Sequence, residues 1–235
     1  ERITDSLKQI EEKQNLILSR LNKLNKIEKD LADISKDGPK PNTDNKKKNE
    51  KPKADPNKVY NIAESGSIVL GNPDAAISII KWTDFQWPYC AKSIGLVDEV
   101  LKKYPNDVKV VIKNFPLSFH KQARRTAQYC LAAGKQGKYK EMYHAIFNDY
   151  RKLKTNVDFP LELAQELGLD IEKFINDAND PSIDAQIQKE IEQMKNAGIP
   201  RMSVPKFLVA GREPQGRDIN TWSAIIDAEL KKNKK

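Results

Sequence analysis

The stretch AISIIKWTDFQWPYC, residues 76–90, decides the fold. Its first half, Ala76–Trp82, is an apolar, β-branched run suited to a buried strand. Its second half closes on Pro88. Proline sits well in the first turn of a helix, where its missing N–H would have had no helical partner. The helical pattern continues to about Tyr104, with Ile94, Val97, Val100 and Leu101 on one face, and Pro105-Asn106-Asp107 ends it. Val108–Lys113 is a second buried strand. Strand, helix, strand in that order predicts a parallel pair joined by a right-handed crossover. Upstream, Ser67–Leu70 reads as a short strand and Gly71-Asn72-Pro73-Asp74 as a turn.

Downstream the pattern changes. From about Phe119 to Ala197 it is helical throughout, with helices expected near 120–134, 138–148, 159–167, 171–177 and 182–197. Gly134, Gly168 and Gly198 stand at or just past helix ends. Lys206–Ala210 returns to strand character. Gly211-Arg212-Glu213 predicts a turn with room for a short strand after it. Asp218 caps a last helix running to about Lys231, with Trp222, Ile225, Ile226 and Leu230 facing inward. The fold class is therefore α/β. Residues 59–235 make one folded domain whose sheet is interrupted by a helical insertion at about 119–198.

The first 58 residues read differently. Residues 1–36 contain neither Gly nor Pro. Leu7 and Leu21 recur at heptad position a, and Ile3, Ile10, Ile17, Leu24 and Leu31 at position d, with Gln14 and Glu28 as polar members of the seam. This predicts a long helix in an oligomerising coiled coil. Leu at a with Ile at d favours a trimer, with a tetramer as the alternative. Residues 37–58, DGPKPNTDNKKKNEKPKADPNK, cannot bury a core and read as a Pro/Lys-rich linker. Such a coil spans about 25 Å, or about 65 Å when fully extended as polyproline II. The formal net charge of the chain is +8. Half of it lies in residues 38–58, where seven Lys face three acids. Basic charge concentrated in a spacer gives no case for nucleic-acid binding.

No run of about 18 apolar residues is present, so no transmembrane helix is expected. No signal sequence opens the chain, and Glu1 has the look of a processed start. A membrane anchor would have to come from a segment ahead of Glu1. Cys90 and Cys130 are the two cysteines, too few for a disulfide-stapled miniprotein.

The ordered landmarks carry a resemblance. They are GNPDA before the first long strand, Asp84-Phe85-Gln86 with Pro88-Tyr89-Cys90 at a helix start, NFPL at 114–117, the helical insertion, and Val204-Pro205-Lys206-Phe207-Leu208-Val209-Ala210-Gly211. Together they resemble the DsbA-like family of thioredoxin-fold disulfide oxidoreductases over about residues 60–233. The N-terminal helix and linker resemble those of the trimeric, copper-tolerance-linked disulfide isomerases of that family. The resemblance implies a bacterial cell-envelope location, periplasmic or otherwise extracytoplasmic, and exported proteins or peptides as clients.

The family's chemistry needs Cys-x-x-Cys. The first thiol, at a helix N-terminus, attacks as thiolate, and the second resolves the mixed disulfide. Here Trp87 replaces the attacking cysteine and Cys90 holds the resolving position. Indole offers no nucleophile, so dithiol exchange by this polypeptide should fail. Pro88 and Tyr89 fill the variable dipeptide. Val204-Pro205 carries over as a cis-proline loop placed against Cys90, and with Pro88 and Tyr89 it makes the implied substrate-binding surface.

Three readings of Trp87 stay open at this point: a redox-silent relative that keeps the groove, an enzyme with an altered residue, and a monothiol working through Cys90. The corresponding functions are oligomeric disulfide exchange or isomerisation, and a peptide-binding or chaperone-like module. A surface-anchored spacer is a third. Cys130, in Tyr129-Cys130-Leu131-Ala132, reads as a core residue. His120 reads as a loop or helix-start residue and His144 as a helix-face residue. Neither has partners at metal-ligand spacing, so no metal and no cofactor is expected.

Overall fold

The computed structural model describes residues 55–233. The helix and coiled coil expected over 1–36, and the linker as far as residue 54, lie outside the described residues.

Four strands form one sheet in the order β1-β3-β2-β4. They are β1 (Ile68–Gly71), β2 (Ile77–Thr83), β3 (Val108–Asn114) and β4 (Lys206–Val209). β2 and β3 pair in parallel, in register from Ile77↔Val108 to Thr83↔Asn114. Both read as near-continuous apolar runs because both faces are covered. β1 joins β3 antiparallel, and β4 joins β2 antiparallel with Trp82 opposite Lys206. Beyond β4 the chain turns back through a single bridge, Val209↔Arg212, where room for a further strand was expected.

The crossover between β2 and β3 is broken. The sequence predicts one helix from Pro88 to about Tyr104, but there are two, α1 (Pro88–Lys92) and α2 (Ile94–Lys103). Ser93 is the joint. Its hydroxyl donates to the Cys90 carbonyl at 2.7 Å, and its N–H donates to the same oxygen. Serine bonding back to the preceding turn competes with the regular helical ladder.

The insertion consists of α3 (Ala123–Lys135), α4 (Tyr139–Asn148), a 3-10 turn (Tyr150–Lys154), α5 (Phe159–Glu166), α6 (Ile171–Ala178) and α7 (Pro181–Asn196). α3 ends at Lys135, one residue past the glycine that was expected to stop it. Gly137, with φ +75°, provides the left-handed stop, whereas Gly134 lies inside the helix. A Cβ on Gly134 would come within 3.3 Å of Ile68 Cδ1, so that glycine serves close packing on β1. Asp170 and Asp180 cap α6 and α7 by accepting from Lys173 N–H and Ser182 N–H.

A buried carboxylate ties the insertion to the sheet. Glu190 on α7 accepts from the Asn114 backbone N–H (2.7 Å), the Asn114 amide (2.8 Å) and the Ser67 hydroxyl (2.8 Å). Its backbone carbonyl accepts from the Trp82 indole at 3.0 Å. Lys113, also buried, donates to Ala63 O, Ser67 Oγ and Gln193 Oε1. Finally α8 (Ile219–Asn233) covers the β2–β4 side, capped by Asp218, which accepts from Thr221 N–H at 2.8 Å. Trp222 of α8 is fully buried against Phe207, with ring centroids 4.8 Å apart.

Candidate functional site

The carboxyl end of β2 leads through the turn Asp84–Trp87 into α1. Trp87 is the N-cap residue of that helix, in extended conformation (φ −85°, ψ 120°), and Pro88 opens the first turn. The Trp87 carbonyl accepts from the N–H groups of Cys90 and Ala91 at 3.0 and 3.2 Å. No side chain caps the helix. Position 87, to which the resemblance assigns the attacking thiolate, thus sits at the helix N-terminus, and an indole stands there.

Cys90 lies one turn on, with no solvent exposure and no disulfide partner. Its sulfur accepts from the Asp84 N–H at 3.4 Å. Burial pushes the thiol up to about 11, against the pull of the Asp84 N–H, the Thr83 hydroxyl and the Lys81 ammonium. The buried Thr83 hydroxyl makes no hydrogen bond of good geometry, so its help is weak. Such a thiol is a poor nucleophile, since reactivity needs access and thiolate character. Cys130 is likewise buried and free, as expected of a core residue.

Two buried groups near Cys90, Lys81 and the Asp84 carboxylate, have roles that the sequence does not assign. Lys81, in mid-β2, has no exposure and donates to the Tyr143 hydroxyl at 2.7 Å. Its ammonium lies 5.3, 5.6 and 5.8 Å from the ring centroids of Tyr143, Phe147 and Phe207. Burial pulls this amine down to about 7, with Cys90 and Asp98 opposing.

Asp84 is the hub of the turn. Its carboxylate accepts from Gln86 N–H and Leu117 N–H, each at 2.7 Å, and pairs with His120 Nδ1 at 3.0 Å. Burial pushes the Asp84 carboxyl above its ordinary value, and those three partners pull against it. Gln86 adds a fourth link by accepting from Gln122 N–H at 2.6 Å. The loop 115–122 is thereby pinned to the turn that carries Trp87.

That pinning gathers aromatic rings at the surface. Trp87 has Tyr89, His120 and Phe119 at centroid distances of 5.4, 5.6 and 6.3 Å. Tyr89 is 56 % exposed and Phe119 66 %. His120 does stand in a loop ahead of α3, but its work is to couple Asp84 to Trp87. Asp84 follows the turn chemistry of a short acceptor bonding two residues on, to Gln86 N–H. Their partners at 117, 120 and 122 gave no local signal. His144, on a helix face as expected, pairs across to Asp98 on α2 at 2.9 Å.

Val204-Pro205 is a cis peptide bond, as the resemblance implied. The β2–β4 ladder ends at Trp82↔Lys206. Continued by one and two residues, that register sets Pro205 across from Thr83 and Val204 across from Asp84. Among the described residues, no hydrogen bond engages the backbone N–H or C=O of Val204, whereas Pro205 O accepts from Arg217 at 2.9 Å.

A parallel strand pair, a helix opening at the end of its first strand, and an antiparallel strand entered through a cis-proline at that same end define a thioredoxin-fold domain. The chain belongs to the thioredoxin family, whose model (Thioredoxin_4) matches residues 63–228. Its fold, a thioredoxin sheet with a helical insertion, is DsbA-like. It is similar to a thioredoxin-like oxidoreductase from Silicibacter pomeroyi (TM-score 0.60, 25 % identity, 70 % of this chain and 92 % of that one). It shares its fold with α-DsbA1 of Wolbachia pipientis (TM-score 0.59, 20 % identity, 73 % and 94 %). It also shares its fold with ScsC of Proteus mirabilis (TM-score 0.58, 20 % identity, 71 % and 73 %). Among curated proteins, the Na(+)/H(+) antiporter NhaA of Herminiimonas arsenicoxydans is 27 % identical over 161 residues, 68 % of this chain. The chain spans about a quarter of the length of that relative. Among the described residues, no helix is long and apolar enough to cross a membrane.

Proposed function

We propose that this chain is a redox-silent, oligomeric member of the DsbA-like group that holds extended polypeptide segments on the face around Trp87. The observation that carries the reading is the pair at positions 87 and 90. The attacking position holds an indole, and the remaining thiol is sealed from solvent and pushed up to about 11. This speaks against the monothiol alternative, which needs an accessible thiolate. It favours binding, because the exposed rings and the free backbone groups of Val204 stand at one end of the sheet. An extended peptide can pair with such groups while its side chains meet the rings.

In the same proposal, residues 1–36 assemble a trimer, residues 37–58 give each domain reach, and the assembly works on exported clients outside the cytoplasm. Several grooves on one assembly raise avidity without any new contact.

Two measurements test this. With a thiol reagent, the native chain should show no fast-reacting thiol, and both cysteines should react once it is unfolded. A rapidly reacting Cys90 in the native chain returns the monothiol reading. A reduced, unfolded client should bind to the full chain, and binding should survive Cys90→Ala and fall with Tyr89→Ala. Loss with Cys90→Ala alone contradicts the binding reading. For assembly, deletion of residues 1–36 should yield a monomer by light scattering.

A further inference from the structure

The charge around this face is one-sided. Residues 85–97, 115–135 and 199–212 supply the helix, the pinned loop and the cis-proline approach. They contain eight Lys or Arg and no Asp or Glu. Four of the eight are neutralised from elsewhere: Arg124 by Asp184, Lys135 by Asp180, Lys206 by Glu213 and Arg212 by Glu229. Arg125 lies over the Tyr129 ring at 4.3 Å and donates to Ala178 O. The remaining three, Lys92, Lys121 and Arg201, are exposed and make no ion pair among the described residues.

Two of these flank rings that meet Trp87, and the third lies in the loop leading to Val204, which the continued β2–β4 register sets across from Asp84. Lys92, on α1, holds its ammonium 5.4 Å from the centre of the Tyr89 ring. Lys121 follows His120, which sits beside the Trp87 indole. Arg201 and the 58 % exposed Met202 lie in the loop that enters Val204-Pro205. The carboxylate nearest in sequence, Asp84, is buried and already holds three partners. An apolar platform rimmed by unanswered cations fits an occupant with apolar anchors and carboxylates between them. Neutral or basic segments would leave the rim unpaired, and like charge is a means of rejecting wrong partners.

We infer that the Trp87 face selects acidic extended segments, with side chains on the Trp87–Tyr89–Phe119 rings and carboxylates on Lys92, Lys121 and Arg201. This rests on the peptide-binding reading and names the class of client that reading takes.

The test uses the full chain and a labelled peptide of about a dozen residues, alternating Val or Phe with Glu. The same peptide with Gln in place of every Glu is the control. Binding is read by anisotropy of the label and by tryptophan fluorescence. Trp82 and Trp222 are fully buried, so among the tryptophans it is Trp87 that senses the face.

Exposed ion pairs are individually weak, and three together are expected to favour the acidic peptide by about tenfold at low salt. The preference should vanish near ~0.5 M salt as screening shortens the reach of the charges. It should also vanish in the triple variant Lys92→Glu, Lys121→Glu, Arg201→Glu, whose fold is checked by its thermal transition. Equal affinity for the two peptides overturns the charge inference and leaves peptide binding standing. So does an acidic preference that survives the triple variant, which would assign the attraction to the Lys-rich residues 38–58. If neither peptide binds, both the inference and the reading beneath it fall.

Discussion

Positions 87 and 90 are one helical turn apart and have opposite surroundings. Trp87 looks outward into a cluster of rings, two of them more than half exposed. Cys90 looks inward to Thr83, the Asp84 N–H and the Lys81 ammonium, with no exposure at all. The difference teaches that two residues of one helical turn can serve a surface and a core separately. In the proposed reading, the outward position offers a contact surface in place of a thiol. The inward position keeps its sulfur as a packed, hydrogen-bonded core group. Changes on the buried side should therefore read out in stability, and changes on the outer side in binding.

Asp84→Ala should have the largest effect on stability. It strands two backbone N–H groups and His120, so about 3 kcal/mol should be lost in denaturant unfolding. A loss below about 1 kcal/mol would mean that the turn does not depend on this carboxylate.

Lys81 comes next. Its amine is depressed to about 7 when folded and returns to the ordinary lysine range when unfolded. Above pH 7 the unfolded chain holds the extra proton, so stability should rise with pH from about 7 towards 10. The slope is at most about 1.4 kcal/mol per pH unit. The Cys90 thiol acts oppositely, but only above about 9, where the unfolded thiol ionises first. Between pH 7 and 9 the rise should be clear, and Lys81→Met should remove most of it, leaving the smaller rise from the depressed Lys113, while raising stability at pH 7. A flat profile in the parent chain would contradict the burial of that amine.

Cys90→Ala should cost about 1 kcal/mol, as the loss of a small buried group. Tyr89→Ala, on the outer side, should change stability by no more than about 0.5 kcal/mol while weakening peptide binding. A reversal of that order would erase the distinction between the two positions.

The sequence made the outer architecture legible because it is written in local patterns. β-Branched runs gave β2 and β3, the Pro88 start gave α1, and helical periodicity gave the insertion nearly element by element. The break at Ser93 was not legible, since a serine in a helical run gives no sign of whether its hydroxyl bonds backward. Gly134 reads locally as a stop, but a glycine's role depends on what stands opposite it, here Ile68. The hub at Asp84 draws on Leu117 and His120, more than thirty residues away. No local spacing encodes such a meeting. Lys81 and Lys113 interrupt apolar strands, and nothing local in the sequence marks either as a buried charge. Their burial becomes intelligible only once Tyr143, Gln193 and the chain at Ala63 arrive to accept their protons' hydrogen bonds.

The most direct measurement is a disulfide-reductase assay run in parallel on the present chain and on Trp87→Cys. In the variant, the introduced thiolate attacks a substrate disulfide and releases one substrate thiolate. Cys90 then displaces the second, leaving the motif oxidised and the substrate reduced by two electrons, with added dithiol restoring the enzyme. The account predicts background activity in the present chain and a gain on the order of a thousandfold in the variant. Turnover by the present chain that disappears with Cys90→Ala would contradict it.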